Sequence, residues 1–312
     1  ITDKYWLAAI IPEQSEKVNF SMRSLSGGED RYQSDFLGEE ITLPAGGEIT
    51  WSGYLFAGAK KVDLLDKYEE ELGISNFDLA IDFGWFYFLT KPFFYAITYF
   101  NALLGNFGLA IIAFTILVRL VLFPLANKSF RSMGKMRELA PKIQQLRESA
   151  GDDRAKMNQE MMALYKKEKV NPAAGCLPIL LQIPVFFALY KVLYVSIEMR
   201  HAPFYGWISD LSAIDPTSLF NLFGLLPYSV DFLPDFLSIG LWPILMGVTM
   251  FLQMRLNPPP PDPIQAKIFQ YMPIFFTFLL ASFPAGLVIY WTWNNLLSIL
   301  QQWWITRDMR SK

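Results

Sequence analysis

Apolar and polar residues are distributed differently in the two parts of the chain. In residues 1–60, apolar positions alternate with polar ones, notably around 18–23 and 49–56, and glycines and prolines separate these runs. Such alternation predicts β-strands, and a helical period over 61–72 predicts a short helix after them. We therefore predict a folded, water-exposed β domain over residues 1–80.

Residues 81–106 are dominated by aromatic side chains. Ten of the eighteen residues from 83 to 100 are Phe, Tyr or Trp, and Asp82, Lys91 and Pro92 interrupt the run. Aromatic rings with a polar edge concentrate where a membrane meets water, so we predict an interfacial amphipathic helix over 81–106. A broken membrane span over the same residues is the alternative.

Five apolar stretches, each long enough or nearly long enough to cross a bilayer, make up most of the remaining chain. The fourth is short, because fourteen helical residues cover only ~20 Å of a ~30 Å hydrocarbon core. It either takes in residues from about 264 onward or lies where the bilayer is thinned. The predicted transmembrane segments are residues 107–126, 177–197, 239–256, 270–283 and 285–305.

Charge is segregated between the connecting segments, and this predicts the orientation. Residues 127–173 carry 11 Lys and Arg against 6 Asp and Glu, whereas residues 198–238 carry one Arg and five acidic residues. Because basic connections stay in the cytoplasm, we predict that 127–173, the loop 257–269 and the tail 306–312 are cytoplasmic. The loop 198–238 and the acidic N-terminal domain are then on the outer side.

The basic connection 127–173 is itself predicted to fold. Helical patterns run from about 128 to 148 and from 153 to 170, with apolar residues such as Met133 and Met161 able to face one another. We predict an antiparallel helical hairpin. Its basic surface is either simply solvated or binds a ribosome or anionic lipid.

Arg119 is the charged residue that most needs an explanation, since it lies within the first apolar stretch. A charge at the centre of a membrane helix costs about 2.5–3.5 kcal/mol on insertion scales. Either Arg119 snorkels to the membrane surface, or it faces a water-filled cavity. None of the five stretches contains Asp or Glu, so Arg119 has no acidic partner there. A cavity is favoured by polar residues on the predicted cytoplasmic half of every stretch: Thr115, Gln182, Gln253, Thr277, Asn294 and Asn295.

Enzymatic and metal-binding functions are disfavoured by the residues present. The single cysteine, Cys176, and the single histidine, His201, leave too few ligands for the usual zinc sites. The apolar stretches contain no HExxH motif, no pair of aspartates and no Ser–His pair. We therefore expect no enzymatic activity, no cofactor and no metal. Two classes of function are compatible with these residues. One is a channel or transporter with an arginine-based anion site, and the other is an assembly scaffold.

Several short motifs resemble those of one known family. Gln159–Lys166 and Asn171-Pro172 resemble its cytoplasmic hairpin, Gly175–Pro178 with Gln182–Phe186 resembles its next span, and Phe283–Trp291 resembles its last turn and span. The motifs follow in order over nearly the whole chain. On them, the sequence is identified as a member of the YidC family of bacterial membrane protein insertases, related to Oxa-type and Albino-type insertases.

The resemblance implies a mainly α-helical multi-pass membrane protein. Its five-helix transmembrane core would carry the cytoplasmic hairpin, and residues 1–80 would be the C-terminal part of a periplasmic β-sandwich domain. It further implies a hydrophilic groove centred on Arg119. The predicted groove residues are Arg119, Thr115, Gln182, Asn294, Asn295, Tyr290 and Trp291. The predicted slide, a face along which substrates move, consists of Ile183, Phe186 and Thr277.

The function implied is to take nascent transmembrane segments from the cytoplasm into the bilayer and to assist their folding. The implied partners are nascent membrane proteins and the lipid bilayer, with the ribosome, the signal recognition particle receptor and the Sec translocon as candidate further partners and a monomer as a sufficient unit. The predicted location is the bacterial inner membrane. The chain begins with Ile rather than Met, which predicts a fragment or processed product, and the resemblance implies that a first transmembrane anchor is missing.

Overall fold

The computed structural model describes residues 1–25, 31–150, 153–171, 177–227, 234, 238–257 and 263–310. The chain forms two compact units, which are described separately. One comprises Ile1–Phe83 with Val195–Glu198, and the other comprises Gly84–Tyr194 with Met199–Lys312. The predicted turn at 151–152 and Cys176 lie outside the described residues.

The first unit is a small β region followed by one helix. Its elements are β1 (Trp6–Pro12), β2 (Val18–Leu25), β3 (Arg31–Gly38), β4 (Gly53–Ala59) and α1 (Val62–Leu72). β1 pairs antiparallel with β4, and β2 pairs antiparallel with β3. In these ladders Ile11 lies opposite Tyr54, and Phe20 lies opposite Phe36.

The strand predicted around residues 49–56 begins only at Gly53. Trp51 lies outside the ladder because other contacts hold its side chain. Its ring packs on Phe36 with the centroids 5.2 Å apart, and its Nε1 donates to Glu16 at 2.8 Å. Alternation alone could not reveal this anchor, because Glu16 and Phe36 are distant in sequence.

Helix α1 is held at its start by a residue from much later in the chain. Val62 N, in the first turn, donates to Glu198 Oε1 at 3.1 Å. Burial raises the pKa of the Glu198 carboxyl. The bond joins α1 to the segment Val195–Glu198, which belongs to the same unit.

The second unit is helical. Its helices are α2 (Tyr87–Leu104), α3 (Phe107–Val121), α4 (Phe123–Ala150), α5 (Arg154–Lys167), α6 (Leu177–Val195), α7 (Leu241–Leu256), α8 (Pro263–Ala281) and α9 (Ala285–Arg310). Gly105 ends α2 in the left-handed conformation that favours glycine. The chain is therefore mostly helical with a small N-terminal β region, which confirms the predicted fold class at this level.

Helix α8 corrects one prediction. The fourth apolar stretch was expected to be short, over 270–283, but α8 begins at Pro263 and has 19 residues, or ~28 Å at ~1.5 Å per residue. Residues from 264 onward thus join the helix, which was one of the two alternatives. By length and composition, Ile264–Ala281 could cross a membrane. Helix length therefore does not require a thinned bilayer.

The other apolar helices are shorter or bent. Phe107–Val121 and Phe123–Leu146 together are apolar and long enough for a second span, but they are bent by 69° at the break between them. Leu180–Val195 and Leu241–Leu256 are shorter apolar helices. The count of five transmembrane segments stays a prediction.

Helix α7 packs along α9 and is also covered by α8. Where α7 meets α8, a Cβ added at Gly247 would overlap Thr277 Oγ1. Thr277 uses that hydroxyl to donate to Pro273 O at 2.8 Å within α8. The two helices can approach this closely only because position 247 carries no side chain.

Replacing Gly247 with alanine is expected to destabilise the protein by about 1–3 kcal/mol, because the added methyl group must push α7 and α8 apart. The measurement is thermal denaturation of the purified protein in detergent. In the double variant with Thr277→Ala, part of the loss should be recovered, since the overlapping oxygen is gone. An unchanged melting temperature in Gly247→Ala would contradict the close contact.

The segment 199–218, here called the capping segment, binds the N-termini of α3, α7 and α9. Asn106 at the start of α3 donates its side-chain amide to Pro203 O at 3.1 Å. The buried carboxylate of Asp215 accepts a bond of 2.9 Å from the first turn of α7. Two backbone carbonyls of the segment accept bonds of 2.7 and 2.9 Å from the first two residues of α9. These three helices therefore begin at the same end of the unit.

Helices α4 and α5 pack through a small apolar cluster. It contains Leu139, Tyr165 and Val170, flanked by Met136, Ile143 and Met161. Met133, which the sequence pattern placed on this seam, packs elsewhere, with Ala126, Phe130 and Ile305. The first part of α4, residues 126–133, therefore packs on α9 and not on α5. The prediction for Met133 was wrong.

Candidate functional site

A cavity of about 320 Å³ lies among α3, α6, α7, α8, α9 and the base of α4. Most of its lining is apolar. The polar lining residues are Arg119, Gln182, Gln253, Asn257, Asn294, Asn295 and Ser298. In the described part of the chain, no Asp or Glu lines the cavity. Arg119 therefore supplies its positive charge without a carboxylate beside it.

Arg119 is held entirely by α9. Its Nε donates to Asn294 Oδ1 at 3.0 Å, and its Nη2 donates to Asn294 O at 3.0 Å. Nη2 also donates to the hydroxyl of Ser298. Ser298 lies one helical turn after Asn294 and is almost fully buried. All three acceptors are neutral, so these bonds orient the guanidinium without cancelling its charge.

One nitrogen of the Arg119 guanidinium has no contact of this kind. Nε donates to Asn294, and Nη2 donates to both Asn294 and Ser298, so the third nitrogen of the group, Nη1, remains. Among the described residues, Nη1 has no hydrogen-bond partner. Its two N–H groups are available to an acidic or carbonyl group that enters the cavity.

An aromatic cluster lies beside the arginine on α6, α8 and α9. The ring of Trp291 meets Phe186 edge to face at 4.8 Å and lies 5.9 Å from Phe276. Gln182 donates to the hydroxyl of the buried Tyr290. Part of the cavity wall is therefore apolar and built from large rings.

Two further polar contacts join α9 to α7. Asn295 Nδ2 donates to Thr249 Oγ1 at 3.2 Å. Gln302 donates to Leu256 O at 3.0 Å, at the end of α7. The side-chain amide of Asn295 is therefore partly committed to helix packing, although this residue also lines the cavity.

Seven of the ten predicted site residues line this cavity. They are Arg119, Gln182, Asn294, Asn295, Trp291, Ile183 and Phe186. Their contacts with a substrate stay predictions.

Three predicted site residues lie outside the lining. Thr115 is buried, and its hydroxyl donates to Ile111 O at 2.7 Å within α3. Tyr290 is buried behind Gln182, which contacts its hydroxyl. Thr277 lies at the contact between α8 and Gly247 of α7. Each of these hydroxyls has a hydrogen-bond partner within the protein.

Sequence reasoning missed Ser298 and Asn257. Ser298 lies four residues after Asn294, so the helical period places both on one face. That spacing was a usable signal. The position of Asn257 depends on where α7 ends, which the apolar pattern marks only to within a few residues.

The fold and the cavity define a class of protein. Apolar helices surround a largely apolar cavity that contains one cationic side chain, and a β region precedes them in the sequence. Residues 99–312 match the family described as 60Kd inner membrane protein, and residues 1–96 match the family described as YidC periplasmic domain. The chain therefore belongs to the YidC family of 60Kd inner membrane proteins, which confirms the resemblance found in the sequence.

Curated relatives named "Membrane protein insertase YidC" align with nearly the whole chain. The relative from Granulibacter bethesdensis is 60% identical over 309 residues, covering 98% of this chain and 54% of the relative. Those from Agrobacterium fabrum (60% identical; 97% and 50% covered) and Rickettsia conorii (57% identical; 98% and 54% covered) are similar. The chain thus spans about half the length of the curated relatives it matches.

One solved structure has a similar fold. It is described as "Active YidC insertase crystal structure with the first transmembrane domain resolved". The TM-score is 0.55 at 24% identity, with 81% of this chain and 57% of that chain covered. At this identity the likeness concerns the fold.

Proposed function

We propose that the protein is an insertase that takes nascent transmembrane segments from the cytoplasm into the inner membrane and assists their folding. The observation that carries the proposal is the guanidinium of Arg119, fixed in a largely apolar cavity by neutral partners and with Nη1 open. A charge held in this way is suited to bind an acidic group for a short time. The insertase names of the relatives support the same function.

The barrier to insertion is the passage of a short polar tail through hydrocarbon. Moving a charged group into that environment is costly unless it is paired. Arg119 would pair transiently with an acidic residue of the tail and so lower this cost. Ile183, Phe186 and the exposed apolar face of α8 would receive the hydrophobic segment of the substrate, with Thr277 on the same helix.

The orientation proposed from charge agrees with the way the helices are capped. The capping segment, which belongs to the predicted outer loop, ties together the ends of three helices. The basic helices α4 and α5 would then lie in the cytoplasm, where the ribosome, the signal recognition particle receptor and the Sec translocon are candidate partners. A monomer is proposed to be sufficient, since residues of one chain come together to form the described cavity lining.

The test is insertion of a purified single-span substrate into liposomes that contain the full-length protein. The tail of the substrate should become protected from protease in these liposomes and stay accessible in protein-free liposomes. Retention of a trapped dye during insertion would distinguish an insertase from an open channel. Equal protection with and without the protein would refute the proposed function.

Shortening the hairpin is expected to reduce insertion several-fold without preventing membrane integration. Replacing residues 137–168 by a short Gly-Ser linker keeps Phe130 and Met133, which form part of the cavity wall, but removes most of the apolar cluster of α4 and α5. The same liposome assay measures the effect. A smaller deletion, 144–160, retains Leu139 and Tyr165 and serves as the control. Full activity after the larger deletion would show that the hairpin is dispensable.

A further inference from the structure

The bonding of Arg119 restricts how it can bind a carboxylate. Arginine forms two parallel bonds to a carboxylate through a pair of nitrogens, either Nε with one Nη or the two Nη atoms together. In this cavity, Asn294 occupies the first pair, since it accepts from both Nε and Nη2. The second pair also needs Nη2, and this nitrogen already donates to Ser298 as well as to Asn294.

We propose that Ser298 is a specificity-determining residue, which limits Arg119 to binding acidic groups through Nη1 alone. This inference rests on the proposed insertase function and names the property of the site that governs its substrates. With Ser298 present, a substrate carboxylate meets one nitrogen and is held mainly by charge. Without the hydroxyl, Nη1 and Nη2 together would form a complete fork, and the same carboxylate would be held more tightly.

A limit on affinity is useful in a site whose ligand must leave. An acidic tail bound by both nitrogens gains a further charge-assisted hydrogen bond, and such bonds are about twice as strong as neutral ones. The tail then stays longer beside Arg119, which delays its passage. Binding through one nitrogen keeps the attraction and allows release.

The geometry around Ser298 makes the residue suitable for substitution. Its hydroxyl donates to Asn294 O at 2.8 Å, so the acceptor side of the same oxygen faces Arg119. Removing this one oxygen leaves both bonds from Arg119 to Asn294 in place. The guanidinium should therefore keep its position in Ser298→Ala, while Nη2 loses one of its two acceptors.

The same helix offers a matched control. Thr292 donates its hydroxyl to Val288 O at 2.8 Å, one turn back, as Ser298 does with Asn294. Thr292 is buried and does not line the cavity. Thr292→Ala therefore removes an equivalent hydroxyl from α9 without touching Arg119. A second variant, Ser298→Thr, retains the hydroxyl at the position in question.

The experiment measures peptide binding to the full-length protein in nanodiscs of uncharged lipid. Two fluorescent peptides share one apolar helix and differ in a tail of four Asp or four Asn. The quantity of interest is the ratio of their affinities. In Ser298→Ala we expect the preference for the Asp tail to rise about five-fold to ten-fold over wild type, with slower dissociation of that peptide. Ser298→Thr and Thr292→Ala should keep the wild-type ratio.

The outcomes separate this inference from the proposed function. An unchanged or lower ratio in Ser298→Ala would overturn the inference, because the hydroxyl would then be irrelevant to the charge or needed to support it. A rise of the same size in Thr292→Ala would also overturn it. Insertion into liposomes is measured separately with the wild-type protein, so a failure there refutes the insertase function while the affinity ratios remain readable.

Discussion

Replacing Arg119 with alanine is expected to lower the insertion of a substrate with an acidic tail about ten-fold to hundred-fold, the range that loss of a hydrogen bond to a charged group predicts. A matched substrate with an uncharged tail should be affected much less. The expectation follows from the cavity lining, where Arg119 is the charged residue among the described side chains. Initial rates of insertion into liposomes, compared for the two substrates, measure the effect.

Two further variants sharpen this prediction. Arg119→Lys should retain much of the activity, because a single nitrogen meets the substrate in either case and a lysine supplies one as well. Arg255→Ala is the matched control. It also removes one positive charge, but Arg255 lies over the ring of Phe251 on the exposed side of α7 and does not line the cavity. If wild type and Arg119→Ala insert acidic-tailed substrates equally, the electrostatic role is excluded.

Replacing Asp215 with alanine is expected to destabilise the protein by about 3–5 kcal/mol, since several donors would lose a buried acceptor at once. Asp215 Oδ1 accepts from Trp207 Nε1 at 3.0 Å and from the backbone and hydroxyl of Thr217 at 3.0 and 2.7 Å. Its Oδ2 accepts from Trp242 N at 2.9 Å, in the first turn of α7. The substitution would therefore loosen the capping segment and the start of α7 together.

Thermal denaturation in detergent measures this loss. Asp210→Ala is the control from the same segment, because Asp210 accepts from the backbone and hydroxyl of Ser212 and lies 3.2 Å from His201. These bonds stay within the segment and touch no helix start, so its melting temperature should fall less. Equal falls for the two variants would show that Asp215 has no special part in capping.

Arg119 was predictable because a charge in an otherwise apolar helix has few explanations. Thr115 shows the limit of the same reasoning. It lies four residues from Arg119 and hence on nearly the same face, but one turn further along, where the side chain is buried and its hydroxyl bonds within α3. Helical spacing gives direction and depth, but it does not say where a neighbouring helix closes the space.

The fold was predictable to a similar degree. Alternation and long apolar runs separated the β region from the helices, since these patterns have different periods. The sequence did not predict that α8 starts at Pro263. Residues 263–269 mix polar and apolar side chains, and such a mixture suits either a loop or the end of a helix. The packing of Met133 against Ile305 could not be predicted, as it depends on the bend between α3 and α4.

Helix α9 is the last helix of the described chain, and this has a consequence for biosynthesis. The acceptors of Arg119 lie 175 and 179 residues later in the sequence. At the translation rates at which domains fold during synthesis, this separation corresponds to roughly 10–35 s. During that interval α3 carries a charge whose native partners do not yet exist. Helix α3, which carries this charge, is therefore synthesised well before the helix that supplies its hydrogen-bond partners.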